Sequence, residues 1–154
     1  MYYKRHAYNM NIEEIVTENI TEFAELFANT FSLPPWSEGW SIDSSSERLG
    51  CFRNTPNFIG LAAYEEKKLL GFIFGNYEPY LDYKLFNLKE MCVKLEYQRK
   101  SVGTKLLTKL HEILLLQNIS RVNLLTRSDS MAENFYLKNG YYKSKVMGLY
   151  IFKL

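Results

Sequence analysis

Apolar positions recur along the chain at two spacings, and the spacing changes from segment to segment. Apolar residues three and four apart predict amphipathic helices, and short apolar runs between turn residues predict strands. A first helix is predicted with Asn11 as its N-cap and Glu14 three residues on, continuing through Phe27 before Pro34 and Pro35. A short second helix is predicted around residues 44–49.

The later helices carry clearer end signals. Apolar residues from Val102 to Leu114 form the stripe of a long helix that ends near Asn118. Ser130 and Glu133 make a capping-box pattern that opens a short helix, and the glycine at position 140 is placed to end it.

The remaining apolar runs predict strands, with one hairpin among them. The run "NFIGLAAYEEKKLLGFIFGNY" reads as two strands about a polar turn at residues 65–68. The other predicted strands cover residues 2–8, 85–95, 121–127 and 141–154. The order β-α-α-β-β-β-α-β-α-β predicts an α/β fold with a mixed sheet, formed as a single domain over residues 1–154.

Composition and charge narrow the function classes. The chain is 47% hydrophobic and 16% aromatic with a formal net charge of +2, which is typical of a folded protein and gives no charge argument for a nucleic-acid partner. Cys51 and Cys92 lack the spacing of a metal site, and Cys92 is expected to be a small buried residue. No signal peptide or membrane span is evident, so we expect no membrane partner and a cytoplasmic location. No P-loop or dinucleotide-binding glycine motif occurs.

The stretch "YQRKSVGTKLL" places a basic, polar turn between a strand and a helix. Backbone N–H groups at the start of a helix lack intrahelical acceptors, and the helix dipole is positive there. Such a turn is suited to an anion.

Two segments resemble motifs of the GNAT (general N-acetyltransferase) superfamily. "YQRKSVGTKLL" resembles motif A, with Gln98, Ser101 and Gly103 at its marked positions, and Ser101 stands where the family has its first glycine. "SDSMAENFYLKNGYY" is similar to motif B, with Asp129 where the family often has asparagine. The element order agrees over nearly the whole chain.

The resemblance implies a GNAT-like fold and acetyl-CoA as the acetyl donor. In that fold a mostly antiparallel sheet has splayed fourth and fifth strands and helices on both faces, and the coenzyme A arm lies between the splayed strands. The implied cofactor-binding residues are Met91, Cys92, Val93, Gln98, Arg99, Lys100, Ser101, Val102, Gly103, Thr104, Asp129 and Ala132. The turn from Gln98 to Thr104 would hold the pyrophosphate.

The resemblance also implies two catalytic residues. Glu90 lies where the family commonly has a carboxylate base, and burial would raise its pKa towards neutrality. Tyr136 matches the tyrosine that serves as an acid towards the coenzyme A sulfur. The alternatives are an ordinary ion-paired glutamate and a core tyrosine. His6, His111 and Cys92 have no matching partners, which favours direct attack by the amine without an acyl-enzyme.

The acceptor site is expected at the first helix, the loop "LPPWSEGWS" and the end of the last strands. Trp36 and Trp40 can stack on a substrate or hold a cation, and Glu38 can attract an amine. Both tryptophans can equally anchor the loop to the core.

The leading hypothesis is an acetyl-CoA-dependent N-acetyltransferase acting on a primary amine of a small molecule. A protein amine as acceptor and a non-catalytic module that senses acyl-CoA are the alternatives. A homodimer through the apolar segment "VMGLYIFKL" is also predicted.

Overall fold

A computed structural model describes residues 9–154. The strand predicted over residues 2–8 and His6 lie outside that part of the chain. The described residues divide into a first unit that ends at Leu124 and a second unit, Leu125–Leu154, and each is treated by itself. No helix in the described part is both long and apolar enough to cross a membrane.

The first unit is built on a five-stranded sheet in the order β1-β2-β3-β4-β5. Its strands are β1 (Met10–Glu14), β2 (Phe58–Glu65), β3 (Lys68–Tyr80), β4 (Tyr83–Val93) and β5 (Arg121–Leu124). Neighbouring strands are antiparallel, apart from the parallel pair β4–β5. The parallel pair requires a crossover, and helix α3 (Val102–Leu116) provides it.

Helices cover both faces of this sheet, as predicted. Helices α1 (Thr21–Phe31) and α2 (Ile42–Arg53) pack on the face that carries Phe72, Phe74 and Cys92. Side chains alternate along a strand, so Leu61 and Ile73, which are paired with each other, point to the opposite face. Helix α3 contacts β2, β3 and β4 and covers that second face.

The core beneath α1 and α2 is rich in aromatic rings. Phe23 of α1 meets Phe72 edge-on with ring centroids 5.4 Å apart, and Phe72 stacks on Phe74 at 5.2 Å. Phe52 of α2 lies 6.4 Å from Phe74. Ring pairs at these separations add to the stabilisation that comes from burial alone. The sheet face that carries Glu90 therefore packs closely against α1 and α2.

The predicted start of the first helix is wrong. Residues Met10–Glu14 form β1, which pairs antiparallel with β2, and α1 begins only at Thr21. Asn11 is a strand residue and caps nothing. Its apparent capping partner Glu14 faces Leu61 of β2 in the register. The N-cap of α1 is Ile20, which has no side chain that can cap, and the side-chain oxygen of Asn19, one residue earlier, accepts the N–H of Thr21 at 3.0 Å.

Most other predicted elements are confirmed, with adjusted ends. The hairpin β2–β3 turns between Glu65 and Lys68, and α2 is longer than the predicted 44–49 segment. Strand β5 ends at Leu124 rather than at residue 127. The last predicted strand is wrong: residues 141–154 contain no strand. There the hydroxyl of Ser144 accepts the N–H groups of Val146 and Met147, which bends the backbone out of an extended course.

The second unit contains helix α4 (Met131–Lys138), which begins and ends as predicted. The hydroxyl of Ser130 accepts the N–H of Glu133 at 3.1 Å. The Glu133 carboxylate reaches one residue further back than a capping box requires and accepts the N–H of Asp129 at 2.7 Å. Gly140 has φ +89°, a backbone conformation that glycine adopts without strain.

Candidate active site

The end of β4 is open on the side where β5 would continue. The parallel pairing runs from Leu85 with Arg121 to Leu88 with Leu124 and stops there. Strand β4 continues to Val93, paired on its other side with β3. This is the opening between the fourth and fifth strands that the fold prediction requires.

Backbone polar groups in this part of β4 alternate in direction. The N–H of Lys94 donates to the carbonyl of Leu70 in β3 at 2.8 Å. Residue pairs in an antiparallel ladder alternate between hydrogen-bonded and non-hydrogen-bonded. The backbone N–H and C=O of Cys92 therefore also point towards β3, while those of Met91 and Val93 point away from it. The Val93 carbonyl accepts the side-chain amide of Gln98 at 3.0 Å. Met91 and Val93 thus direct their backbone groups to the open side.

The turn after β4 has an unusual backbone. A short 3-10 helix, Leu95–Tyr97, is followed by Arg99 at φ +59° and Ser101 at φ +65°, and α3 starts at the next residue. Residues other than glycine seldom adopt positive φ. The family's glycine position, occupied here by Ser101, therefore has the left-handed conformation that glycine suits best.

The start of α3 differs from the starts of α2 and α4. All three helices have a serine as N-cap. The hydroxyls of Ser41 and Ser130 accept an N–H of the first turn, whereas that of Ser101 makes no such bond. The N–H groups of the first turn of α3, which belong to Val102, Gly103 and Thr104, receive no side-chain cap from Ser101. Such groups and the helix dipole suit an anion.

Basic side chains surround this turn. The Lys100 ammonium lies 5.3 Å from the centroid of the Tyr97 ring. The Tyr97 hydroxyl donates to Glu65 at 3.1 Å and accepts a hydrogen bond from Lys68 at 3.2 Å. Tyr97 itself is buried, which fixes the base of the turn. Arg99 and Lys100 are exposed, so salt screens the charge that they add.

A β-bulge determines where Glu90 points. Phe74 pairs with Glu90, but the next residue of β3, Gly75, pairs with Leu88, so Lys89 is the extra residue in β4. Glu90 therefore shares the face of Phe74, towards α1 and α2, and Leu88 lies on the face of α3. With regular alternation Leu88 and Glu90 would share one face. Bulges that re-aim a side chain are common beside active sites.

Glu90 is buried and forms an ion pair with α2. Both Nε and Nη2 of Arg48 lie 2.6 Å from its Oε1 atom. Burial raises the pKa of the Glu90 carboxyl, the charge and hydrogen bonds of Arg48 oppose that rise, and the nearby Glu38 adds to it. The net result is a carboxyl with a raised pKa, which is what a general base near neutral pH requires.

Two aromatic rings lie beside the Arg48 guanidinium, although its side chain is 41% exposed. The guanidinium lies 5.5 Å from the centroid of Trp40 and 5.0 Å from that of Phe52. Trp40 packs edge-on against Phe27 at 5.2 Å, and its indole N–H donates to Glu38 at 2.6 Å. Trp40 and Glu38 are thus brought next to the Glu90 site.

The other loop tryptophan has a different setting. Trp36 lies 5.4 Å from Phe31, at the end of α1, and is half-buried. These ring contacts agree with the alternative in which both tryptophans anchor the loop. Their half-exposed rings leave substrate contact by Trp36, Glu38 and Trp40 as a prediction.

Sequence reasoning missed Arg48 and Phe52. They are four residues apart on α2, so they share one helix face, and this spacing is the one signal that pairs them. Nothing in the sequence connects them with Glu90, because Arg48 and Glu90 are 42 residues apart along the chain.

The remaining predicted site residues lie in the second unit. Asp129 is exposed and has φ +55°, a conformation that aspartate tolerates better than most residues. Tyr136 and Ala132 of α4 are half-buried. The Tyr136 ring meets Phe135 at 5.3 Å and Tyr141 at 5.4 Å, both edge-on. The roles assigned to Asp129, Ala132 and Tyr136 remain predictions.

The environment of Cys92 argues against a thiolate nucleophile. Cys92 is buried, as predicted, and burial raises the pKa of its thiol to about 12. A thiolate is the reactive form, so this thiol is inert near neutral pH. Burial also lowers the pKa of His111, which lies on α3, against the sheet face opposite Glu90.

The sequence was compared with protein-family models and with curated proteins. Residues 56–143 match the model of the acetyltransferase (GNAT) domain. No curated protein matches the chain by sequence.

Several solved structures have the same fold. An aminoglycoside acetyltransferase from an uncultured soil metagenomic sample, in complex with sisomicin, is 23% identical with a TM-score of 0.72, covering 94% of this chain and 97% of that one. An aminoglycoside N-acetyltransferase in complex with CoA is 10% identical with a TM-score of 0.72, covering 94% and 95%. The ribosomal-protein-alanine N-acetyltransferase of Brucella melitensis biovar Abortus 2308 is 14% identical with a TM-score of 0.71, covering 94% and 99%.

Proposed function

Because the chain belongs to the GNAT acetyltransferase family, we propose that it transfers an acetyl group from acetyl-CoA to a primary amine of a small molecule by direct attack. The observation that carries this proposal is the end of β4. There, a buried carboxylate, outward-facing backbone groups and an uncapped helix start follow one another between Glu90 and Thr104.

The turn after β4 fits the pyrophosphate of the donor. The N–H groups of Val102, Gly103 and Thr104 would hold it at the start of α3, and Arg99 and Lys100 would add positive charge. Ser101 makes no cap, so its hydroxyl is available to donate to a phosphate oxygen. Backbone groups of Met91 and Val93 would bond the amides of the coenzyme A arm, with Gln98 fixing the Val93 carbonyl.

Acetyl-CoA supplies an activated acetyl thioester, and the residues of this chain manage protons and charge around it. Glu90 takes the proton from the acceptor amine, directly or through a water. The N–H of Val93 is the better oxyanion donor, because that of Cys92 faces β3. Tyr136 protonates the departing sulfur. The raised pKa of Cys92 supports a route without an acyl-enzyme.

The acceptor would approach over the α1–α2 loop. Trp36, Trp40 and Glu38 lie on the loop that leads to Arg48 and Glu90, and an anionic side chain beside aromatic rings suits an amine. Two of the structures with this fold are named as aminoglycoside acetyltransferases. A third is named for a ribosomal-protein alanine, which keeps a protein amine as the second candidate acceptor.

Calorimetry with coenzyme A and acetyl-CoA tests the donor site first. We expect the wild type to bind both and Gly103→Glu to bind neither, because the substitution adds bulk and negative charge at the proposed phosphate site. Gly39→Glu is the matched control, since Gly39 has open space around it, and it should bind as the wild type does. Failure of the wild type to bind would overturn the proposal.

A thiol-release assay then tests the reaction and the acceptor. Polyamines, amino sugars and aminoglycosides form one panel, and peptides with an N-terminal alanine form the other. We expect turnover with the first panel and a large loss of turnover in Glu90→Gln and in Tyr136→Phe. Turnover with peptides alone would assign the protein-amine function instead. Binding without any turnover would favour the acyl-CoA-sensing module.

A further inference from the structure

Within residues 9–154, the buried Glu90 carboxylate forms an ion pair with one cation, Arg48, and Arg48 contacts only one of its oxygens. Nε and Nη2 of Arg48 both contact Oε1 at 2.6 Å. Both of these contacts are to Oε1, so Oε2 is the oxygen left to receive a proton.

Two aromatic rings lie beside the Arg48 side chain, and Glu90 is the one carboxylate that it pairs with among the described residues. The centroids of Trp40 and Phe52 lie 5.5 Å and 5.0 Å from its Cζ atom. Phe52 belongs to the same helix, one turn on, and Trp40 is held in turn by Glu38. A planar guanidinium suits this setting, because it can stack on rings while its edge donates hydrogen bonds.

We propose that Arg48, held between Trp40 and Phe52, is a positioning residue that fixes Oε1 of Glu90 and leaves Oε2 to take the proton of the acceptor amine. This inference rests on the proposed function, in which Glu90 is the base. Arg48 itself need not touch the substrate.

The groups that face Glu90 define the expected pH behaviour. They are Arg48 from α2, Glu38 from the α1–α2 loop, Cys92 on the same face of β4, and Lys89, its neighbour in the strand. Arg48 is the group that lowers the pKa of Glu90 against the effect of burial. Removing its charge therefore raises that pKa further, and Glu90 stays protonated to a higher pH. The acid limb of the kcat/KM profile must move to higher pH.

Two readouts on the same variants test the inference. The pKa of Glu90 is measured by carbon NMR of its labelled carboxyl group, and the pH profile of kcat/KM is measured beside it. In Arg48→Gln we expect both to rise by about one unit or more, the usual effect of losing an adjacent opposite charge. Arg48→Lys keeps the positive charge but lacks the planar guanidinium with its several donors. It should therefore raise the Glu90 pKa less than Arg48→Gln does and retain more activity than that variant.

Arg53→Gln is the matched control. Arg53 lies on the same helix and over a phenylalanine ring, Phe58 at 4.8 Å, but its guanidinium donates to the carbonyls of Val16 and Thr17. The Arg53→Gln substitution should leave the pKa of Glu90 unchanged. Removing the ionic partner of the buried Glu90 carboxylate is destabilising, so if Arg48→Gln does not fold, Arg48→Lys and Phe52→Leu carry the test.

Each outcome is decisive. An unchanged Glu90 titration in the Arg48 variants would overturn the inference and leave the proposed function standing. A shifted titration with an unshifted kcat/KM profile would overturn Glu90 as the base, and with it the role of Arg48 towards that base. A parallel rise in both readouts, absent from Arg53→Gln, is the expected result.

Discussion

Replacing Ser101 by glycine should stabilise the protein, although it removes a side chain from a helix N-cap. Ser101 has φ +65° and ψ 6°, and its hydroxyl makes no cap bond. The left-handed conformation costs an L-residue about 1–2 kcal/mol, and glycine does not incur this cost. The greater freedom of glycine in the unfolded chain offsets about 0.5–1 kcal/mol of that gain.

The net effect is a gain of about 0.5–1 kcal/mol in the free energy of unfolding. For a chain of this length that corresponds to a rise in Tm of about 1–4 °C. Thermal unfolding followed by circular dichroism measures it. Calorimetry with coenzyme A on the same sample should show binding no weaker than in the wild type, because glycine also lets a phosphate approach the backbone more closely.

Ser41→Gly provides the control with the opposite sign. Ser41 is also an N-cap serine, but it has φ −91° and its hydroxyl accepts the N–H of Ser44 at 3.0 Å. Glycine there relieves no strain and removes a cap, so stability should fall by a few tenths of a kcal/mol. If Ser101→Gly lowers Tm as Ser41→Gly does, the argument from backbone strain is refuted.

Three further outcomes are expected. A thiol reagent should modify the exposed Cys51 in the native protein and reach Cys92, whose thiol has a pKa of about 12, only after denaturation; rapid modification of both would contradict its burial. Gly75→Ala should lower the free energy of unfolding by about 1–3 kcal/mol in urea titrations, because a Cβ there would lie 2.0 Å from the Asn87 carbonyl oxygen, while Gly39→Ala stays near wild type. Light scattering should give a dimer of the 18.2 kDa chain, since Val146, Tyr150 and Phe152 are exposed, and a chain ending at residue 145 should be a monomer.

The sequence predicts best those elements whose signals are local. The hairpin β2–β3 has long apolar runs on both sides of a polar turn, and α3 carries an apolar stripe over its full length. Strand β1 has only five residues, too few to show a period, and Asn11 and Glu14 imitate a helix start. Pairing with β2 determines its conformation, and pairing is not a local property.

Local and non-local features also separate within the candidate site. The turn from Gln98 to Thr104 is contiguous, so its residue types alone indicate an anion site. The enclosure of Glu90 could not be predicted, because it brings together residues from the α1–α2 loop, α2 and β4. The role of Ser101 lies between these cases: its position is evident from the motif, but its positive φ is a property of the folded turn.

The bulge at Lys89 determines the environment of Glu90. Without it, Glu90 would share the face of Leu88, beneath α3 and away from Arg48. With it, the carboxylate turns towards α1 and α2, where burial raises its pKa and Arg48 limits the rise. The same strand then ends with the backbone groups of Met91 and Val93 facing the opening, and the turn after it leads into the uncapped start of α3. A single extra residue thus turns the predicted base towards the predicted acceptor loop, and the residues that follow in β4 face the predicted donor site.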